Sequence, residues 1–106
     1  MKKEDILTVG TTVYLGGNVK QVMIIGRSVL TEIDNKKSYF DYAGCLFPEG
    51  LVDDQLVYFN HEDITKVIHK GEIVEGEELL QDLIMEASQE NDAFKLKIDR
   101  NNEGEW

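Results

Sequence analysis

With 106 residues, 30% of them charged, and a formal net charge of −10, the chain is long enough for one domain and too acidic for an ordinary phosphate-binding surface. The same charge argues against docking on anionic lipid, so we expect neither nucleic acid nor a membrane as a partner. A single cysteine excludes an internal disulfide, and no apolar run approaches the roughly 20 residues of a membrane span. The sequence shows no secretory signal peptide, so a cytoplasmic location is expected.

The first half of the chain predicts short antiparallel strands joined by tight turns. Gly16-Gly17-Asn18 tolerates positive φ, which is typical of a hairpin. Residues 22–25 are apolar without alternation, as in a central strand, and Gly26 indicates a bulge or a bend. Asp34 opens a polar turn. Extended segments are predicted over residues 11–15, 20–27, 29–33 and 38–43, and together they form a meander of three or four antiparallel strands.

The stretch from Phe40 to Gly50 holds the only proline and the only cysteine of the chain. Alternation of apolar residues through Tyr42 predicts a half-buried strand, and Gly44 predicts its end. A loop around Pro48 follows. We expect Leu46 to support the core and Phe47 to be partly exposed.

The second half predicts a short strand, a helical turn and a longer helix. Residues 57–59 form the strand, and Asn60 is a good N-cap for a turn over 60–64, with Asp63 completing a capping box. Residues 65–70 are extended, and a helix covers about 77–90. The expected fold is α+β, a small antiparallel meander that is partly barrel-like. It forms one domain over residues 1–98, β-rich over 11–71, with a frayed acidic tail at 99–106.

Apolar residues of the C-terminal helix fall at spacings of one, three and four, which predicts one apolar face that could continue to Phe94. This face is Leu79, Leu80, Leu83, Ile84 and Ala87. It either packs on the sheet, or its outer part meets a partner helix or a second copy of the chain. The candidate interaction residues are Phe47, Pro48, Leu51, Leu80, Ile84 and Phe94.

Residues with catalytic or metal-binding chemistry are few. Cys45 with His61 or His69 is the one arrangement of the Cys/His kind, and its surroundings match no nucleophile motif. A small buried thiol at the end of a strand is the preferred interpretation of Cys45. In the run from His61 to Asp63, adjacent side chains point in different directions, which is poor geometry for a metal. We therefore expect no cofactor, no metal and no enzymatic activity; a small hydrolase using Cys45 and His61 is the alternative.

Four blocks of the sequence resemble a small Firmicute family, the domain-of-unknown-function family numbered 4176. The blocks are Val13-Tyr14-Leu15-Gly16-Gly17, Met23-Ile24-Ile25-Gly26-Arg27, Asp41-Tyr42-Ala43-Gly44-Cys45 with Pro48-Glu49-Gly50, and Phe59-Asn60-His61-Glu62-Asp63-Ile64. The resemblance covers roughly Ile6 to Gly71. It implies a gene near type VII secretion toxins with an LXG targeting domain, and an accessory or chaperone-like role. The partner would be the toxin or its small helical companions, with a homodimer as a further option. A role as an immunity protein that neutralises the toxin is the alternative.

Overall fold

A computed structural model describes residues 1–17 and 19–98, and it confirms an α+β fold. The elements are β1 Thr12–Leu15, β2 Gln21–Ile33, β3 Lys36–Phe47, β4 Val57–Phe59, β5 Ile64–His69 and α1 Glu77–Glu90. Three short 3-10 turns lie at Lys3–Asp5, His61–Asp63 and Asp92–Phe94. The expected frayed tail at 99–106 lies outside the described residues.

The five strands form one antiparallel sheet in the order β4-β3-β2-β1-β5. The first four strands follow one another as the expected meander, and β5 returns to pair with β1. In the described part of the chain the sheet is open, with β4 and β5 at its two edges. The expectation of a partly barrel-like sheet is therefore wrong. The short β4 has three residues and lies at the edge opposite β5, and the two strands are not paired.

A long hairpin of β2 and β3 dominates the sheet. The extended segments predicted over 20–27 and 29–33 form one strand. The predicted end of β3 at Gly44 is wrong, because the strand continues to Phe47. Gly44 has a packing role instead. A Cβ built there would lie 2.6 Å from both Val22 Cγ1 and the carbonyl oxygen of Met23. The glycine thus permits close approach of the two strands.

Two irregularities in β2 decide which face each side chain occupies. A register shift between Ile24 and Gly26 is the predicted bulge. It brings Arg27 opposite Tyr42, onto the same face as Ile24. Ser28 then has a φ of 55°, and the Val29 side chain lies on the other face, 3.7 Å from the position of a Cβ built on Gly26. The bulge therefore directs a guanidinium group towards the core face of the sheet.

The hydrophobic core lies on this face of the sheet. Its fully buried members are Val13, Leu15, Val22, Ile24, Tyr42 and Phe59, and Leu7, Leu46, Val57 and Ile64 pack against them. The expected supporting role of Leu46 is confirmed. Helix α1 contacts β2 and the N-terminal 3-10 turn, so it closes one side of the domain.

Candidate interaction surface

The N-terminal end of α1 is held to the sheet by a buried ion pair. Arg27 donates from Nη1 to Glu77 Oε2 at 2.7 Å and from Nη2 to Glu77 Oε1 at 3.0 Å. Both side chains are 7% exposed. Arg27 Nη1 also lies 3.3 Å from the carbonyl oxygen of Leu7, so the guanidinium joins three segments. A bidentate pair of this kind defines both position and orientation, which fixes the start of the helix.

The segment after α1 is held by a second set of polar contacts. Lys95 Nζ lies 3.1 Å from Asp41 Oδ2, and the Asp41 side chain is fully buried. The amide of Leu96 donates to the carbonyl oxygen of Tyr39 at 3.2 Å, beside the edge of β3. Burial lowers the pKa of Lys95, but the Asp41 and Glu62 carboxylates together raise it by more, so the net shift of the pKa is upward. We call α1 together with the 3-10 turn Asp92–Phe94 the helical unit. These contacts fix its C-terminal end.

Asn60 joins that segment to the sheet, in addition to its expected place in a capping box. Its Oδ1 accepts from the Asp41 amide at 3.0 Å, and its Nδ2 donates to the Leu96 carbonyl at 2.8 Å. The predicted capping box is present, and in it Asp63 Oδ2 accepts from the Asn60 amide at 2.8 Å. Asn60 therefore works as a buried bridge between distant segments.

The side chain of His61 is engaged with Tyr42. The Tyr42 hydroxyl lies 3.0 Å from His61 Nδ1 and accepts from the Leu7 amide at 3.1 Å. Burial raises the pKa of Tyr42 to about 12. The hydroxyl is therefore neutral at physiological pH, and it ties the N-terminal segment to the core.

Cys45 lies apart from both histidines. It is 2% exposed on β3, and β3 alternates without interruption between Tyr42 and Cys45, so their side chains lie on opposite faces. His61 is on the Tyr42 side. His69 lies on β5, which β1 and β2 separate from β3. The structure thus brings neither histidine to the thiol, and residues 1–17 and 19–98 contain no group of three potential metal ligands.

The outer side of α1 exposes three leucines. We call Leu79, Leu80, Leu83 and Ala87 the leucine face. The three leucines are 66%, 44% and 54% exposed, respectively. Of the predicted apolar face, Ile84 alone is buried, at 6% exposed. The prediction of a single apolar face is therefore wrong in this respect, and the burial of Ile84 removes it from the interaction residues.

The helix packs against the rest of the domain through a different face, which carries Glu77 and Ile84. Glu77 and Ile84 are seven residues apart, two turns of an α-helix, and both are buried. Sequence periodicity assigns a glutamate to the solvent side. The partner that makes its burial possible, Arg27, is 50 residues away in the sequence, so local pattern alone contains no sign of the pair.

A second apolar surface surrounds the loop after β3. Phe47 is 39% exposed, which confirms its expected partial exposure, and Pro48 and Leu51 are also exposed. Leu46 and Leu56 help to line a nearby cavity of about 340 Å³. We call Phe47, Pro48, Leu51, Val52 and Leu56 the loop surface.

Phe94 belongs to neither surface. Lys37 Nζ lies 4.7 Å from the centroid of the Phe94 ring, near the start of β3, whereas Phe47 is the last residue of that strand. The candidate interaction residues therefore do not form one patch. They divide between the loop surface, the leucine face and an isolated position at the far end of the hairpin.

Comparison with known proteins identifies the family of this chain. In the described part of the chain, no helix has the length and apolar character needed to cross a membrane. No curated protein and no solved structure matches the sequence. One family model matches residues 6–80, which extends beyond the sheet into the first turn of α1 and includes Glu77. The chain therefore belongs to the family described as a domain of unknown function, DUF4176.

Proposed function

We propose that this protein is a non-catalytic interaction module, an accessory or chaperone-like factor for a type VII secreted toxin of the LXG class. It binds the toxin or one of its small helical companions in the cytoplasm before export. Membership of the DUF4176 family and the sequence blocks that carry the resemblance support this role. The acidic net charge of −10 fits a protein partner with a basic surface.

The leucine face is the observation that carries the proposal. A folded helix that exposes Leu79 and Leu83, one turn apart, presents the spacing by which amphipathic helices recognise one another. Polar contacts hold both ends of the helical unit, at Glu77 and at Lys95. A fixed scaffold reduces the ordering cost of binding, so the exposed face is prepared for a partner.

The hydrolase alternative receives less support from the geometry. A nucleophile needs a base within hydrogen-bond reach, and Cys45 and His61 lie on opposite faces of the sheet. A Cys45→Ala variant should therefore keep its biological activity, apart from any effect of the changed packing.

Co-purification with the two parts of a neighbouring toxin tests the role. We expect the N-terminal targeting domain, or a helical companion, to form a stable complex with the full chain. The isolated C-terminal toxic domain is the second bait. A complex with the toxic domain alone would identify an immunity protein, and no complex with any of these baits at micromolar concentration would contradict the proposal.

Leu83→Lys and Leu51→Lys are the matched variants for this experiment. They make the same substitution at leucines that are 54% and 56% exposed, on the leucine face and the loop surface respectively. We expect the first to weaken the complex and the second to leave it unchanged. Circular dichroism and thermal melting verify that both variants fold.

A further inference from the structure

The surface of α1 divides into faces of different chemistry. At 3.6 residues per turn, part of the leucine face lies on the side of the helix opposite the buried residues. The leucine face also borders a row of acidic residues. We call Glu78, Asp82 and Glu86 the acidic face. Glu86 and Leu79 mark the border, where an acidic side chain and an exposed leucine share one side of the helix.

Lys3 is the basic group that faces these acids from the N-terminal turn. Its Nζ lies 2.8 Å from Asp82 Oδ1 and 3.4 Å from Glu78 Oε1. The side chains of Glu78 and Asp82 are nevertheless 87% and 57% exposed. One ammonium group against three carboxylates leaves the acidic face negative, next to an apolar surface that is open to solvent.

We propose that the leucine and acidic faces together dock one partner helix that is amphipathic and basic. Its apolar residues recur at spacings of three and four, and Lys or Arg residues border them. This inference rests on the proposed function, and it names the chemistry that the partner presents. The apolar contact supplies affinity, and the charges select the partner and its orientation.

A second copy of the chain is the less suitable occupant. Two copies that meet through their leucine faces in a two-fold antiparallel pair place acidic face against acidic face. Each copy also carries a net charge of −10. Like charges at such a contact disfavour the pair, whereas a basic helix neutralises them.

Strand addition at the sheet edges is disfavoured by the form of those edges. Two register shifts interrupt the pairing of β5 with β1, and bulged, charged edges resist a further strand. At the other edge, β4 has three residues, and Lys95 forms a bridge with Tyr39 beside β3. The sheet edges are therefore poorer docking sites than the exposed side chains of the helix.

Two synthetic helical peptides with identical apolar positions test the inference, one bordered by Lys and the other by Glu. Fluorescence anisotropy with the full chain should show that the Lys peptide binds at least about tenfold more tightly than the Glu peptide. Leu83→Lys should lower the affinity for the Lys peptide by about tenfold. Leu51→Lys should change this affinity by less than about twofold. Glu86→Lys should lower the affinity for the Lys peptide and raise the affinity for the Glu peptide.

Several outcomes would overturn the inference. They are equal affinity for the two peptides, binding of neither, or equal effects of Leu83→Lys and Leu51→Lys. A wild-type dimer in sedimentation that Leu83→Lys dissociates would identify a second copy as the occupant. Because the peptides contain no toxin sequence, failure of the export role leaves this result standing. If the Leu83→Lys variant still forms the toxin complex, the proposed function is supported, but the proposal that the leucine and acidic faces dock the partner is contradicted.

Discussion

Arg27 on β2 and Glu77 in the first turn of α1 form a bidentate pair with N···O distances of 2.7 and 3.0 Å, although 50 residues separate them in the sequence. The bulge at Gly26 directs the guanidinium to this contact. Because the leucines of α1 face outwards, this pair and Ile84 are the buried side chains through which the described part of the chain holds the helix to the domain. The placement of the leucine face therefore depends on the ion pair at the N-terminal end of α1.

Glu77→Gln should destabilise the protein strongly, because it leaves the Arg27 guanidinium buried without a counter-charge. We expect a loss of about 3–5 kcal/mol in the free energy of unfolding, measured by urea denaturation. Glu78→Gln is the matched control, since Glu78 lies one residue further along with an 87% exposed side chain. It should change stability by less than about 0.5 kcal/mol. Equal effects of the two substitutions would contradict the structural role of the pair.

The stability of the fold should fall at alkaline pH because of Tyr42. Its pKa rises from 10.0 to about 12 on folding. The folded chain therefore holds this proton more tightly than the unfolded chain. The resulting stability is complete below pH 10 and is lost as the pH rises towards 12, and a shift of this size corresponds to about 2–3 kcal/mol.

Tyr42→Phe isolates this titration. At neutral pH the variant should lose about 1–3 kcal/mol, because the Leu7 amide no longer has its acceptor. Between pH 10 and 12 it should lose less further stability than the wild type. Denaturation at successive pH values, combined with phenolate absorbance, measures both effects. Parallel alkaline profiles for the two proteins would show that Tyr42 does not titrate in this way.

Gly44→Ala should destabilise the β2–β3 hairpin. The added Cβ would lie 2.6 Å from Val22 Cγ1 and from the Met23 carbonyl oxygen, and the backbone atom cannot rotate away. We expect a loss of about 1–3 kcal/mol or more in thermal or urea unfolding. Gly16→Ala is the control, since its nearest contact would be 3.8 Å away. A fully stable Gly44→Ala protein would disprove the close approach of the strands.

Asn60→Asp distinguishes the bridging role of Asn60 from the expected capping role. Aspartate is an equally good N-cap, so a capping role predicts little change. The structure predicts a loss of about 1–3 kcal/mol, because the donor to the Leu96 carbonyl is lost and a second carboxylate is added near Asp41. Hydrogen exchange at the Leu96 amide should become faster. Unchanged exchange and stability would favour the capping role.

The strands and the helix follow local rules, and most of them could be predicted from the sequence. Alternation predicts β1, a short apolar run predicts β4, and periodicity predicts the helix that the structure places at Glu77–Glu90. Gly26 indicates a bulge or a bend, and the structure has a bulge there. The role of Gly44 is not predictable in this way, because a glycine that ends a strand and a glycine that lets two strands approach have the same local sequence signal.

The orientation of the helix could not be predicted, because it depends on contacts between distant residues. A leucine-rich face ordinarily packs inwards, and a glutamate ordinarily stays in water. Here Arg27 makes the burial of Glu77 favourable, and the leucines turn outwards. Asn60 shows the same limit: its partners, Asp41 and Leu96, are remote in the sequence, so its local context predicts only a cap.

Photo-crosslinking from single positions, in the presence of the toxin and its companions, tests the central claim most directly. A photoreactive residue replaces Leu83 on the leucine face in one protein, and Leu51 on the loop surface in another; the two leucines are 54% and 56% exposed. We predict a crosslink to the targeting domain or to a helical companion from position 83 and none from position 51. A complex that forms but crosslinks only from position 51, or from neither position, would contradict the assignment of the leucine face as the binding surface.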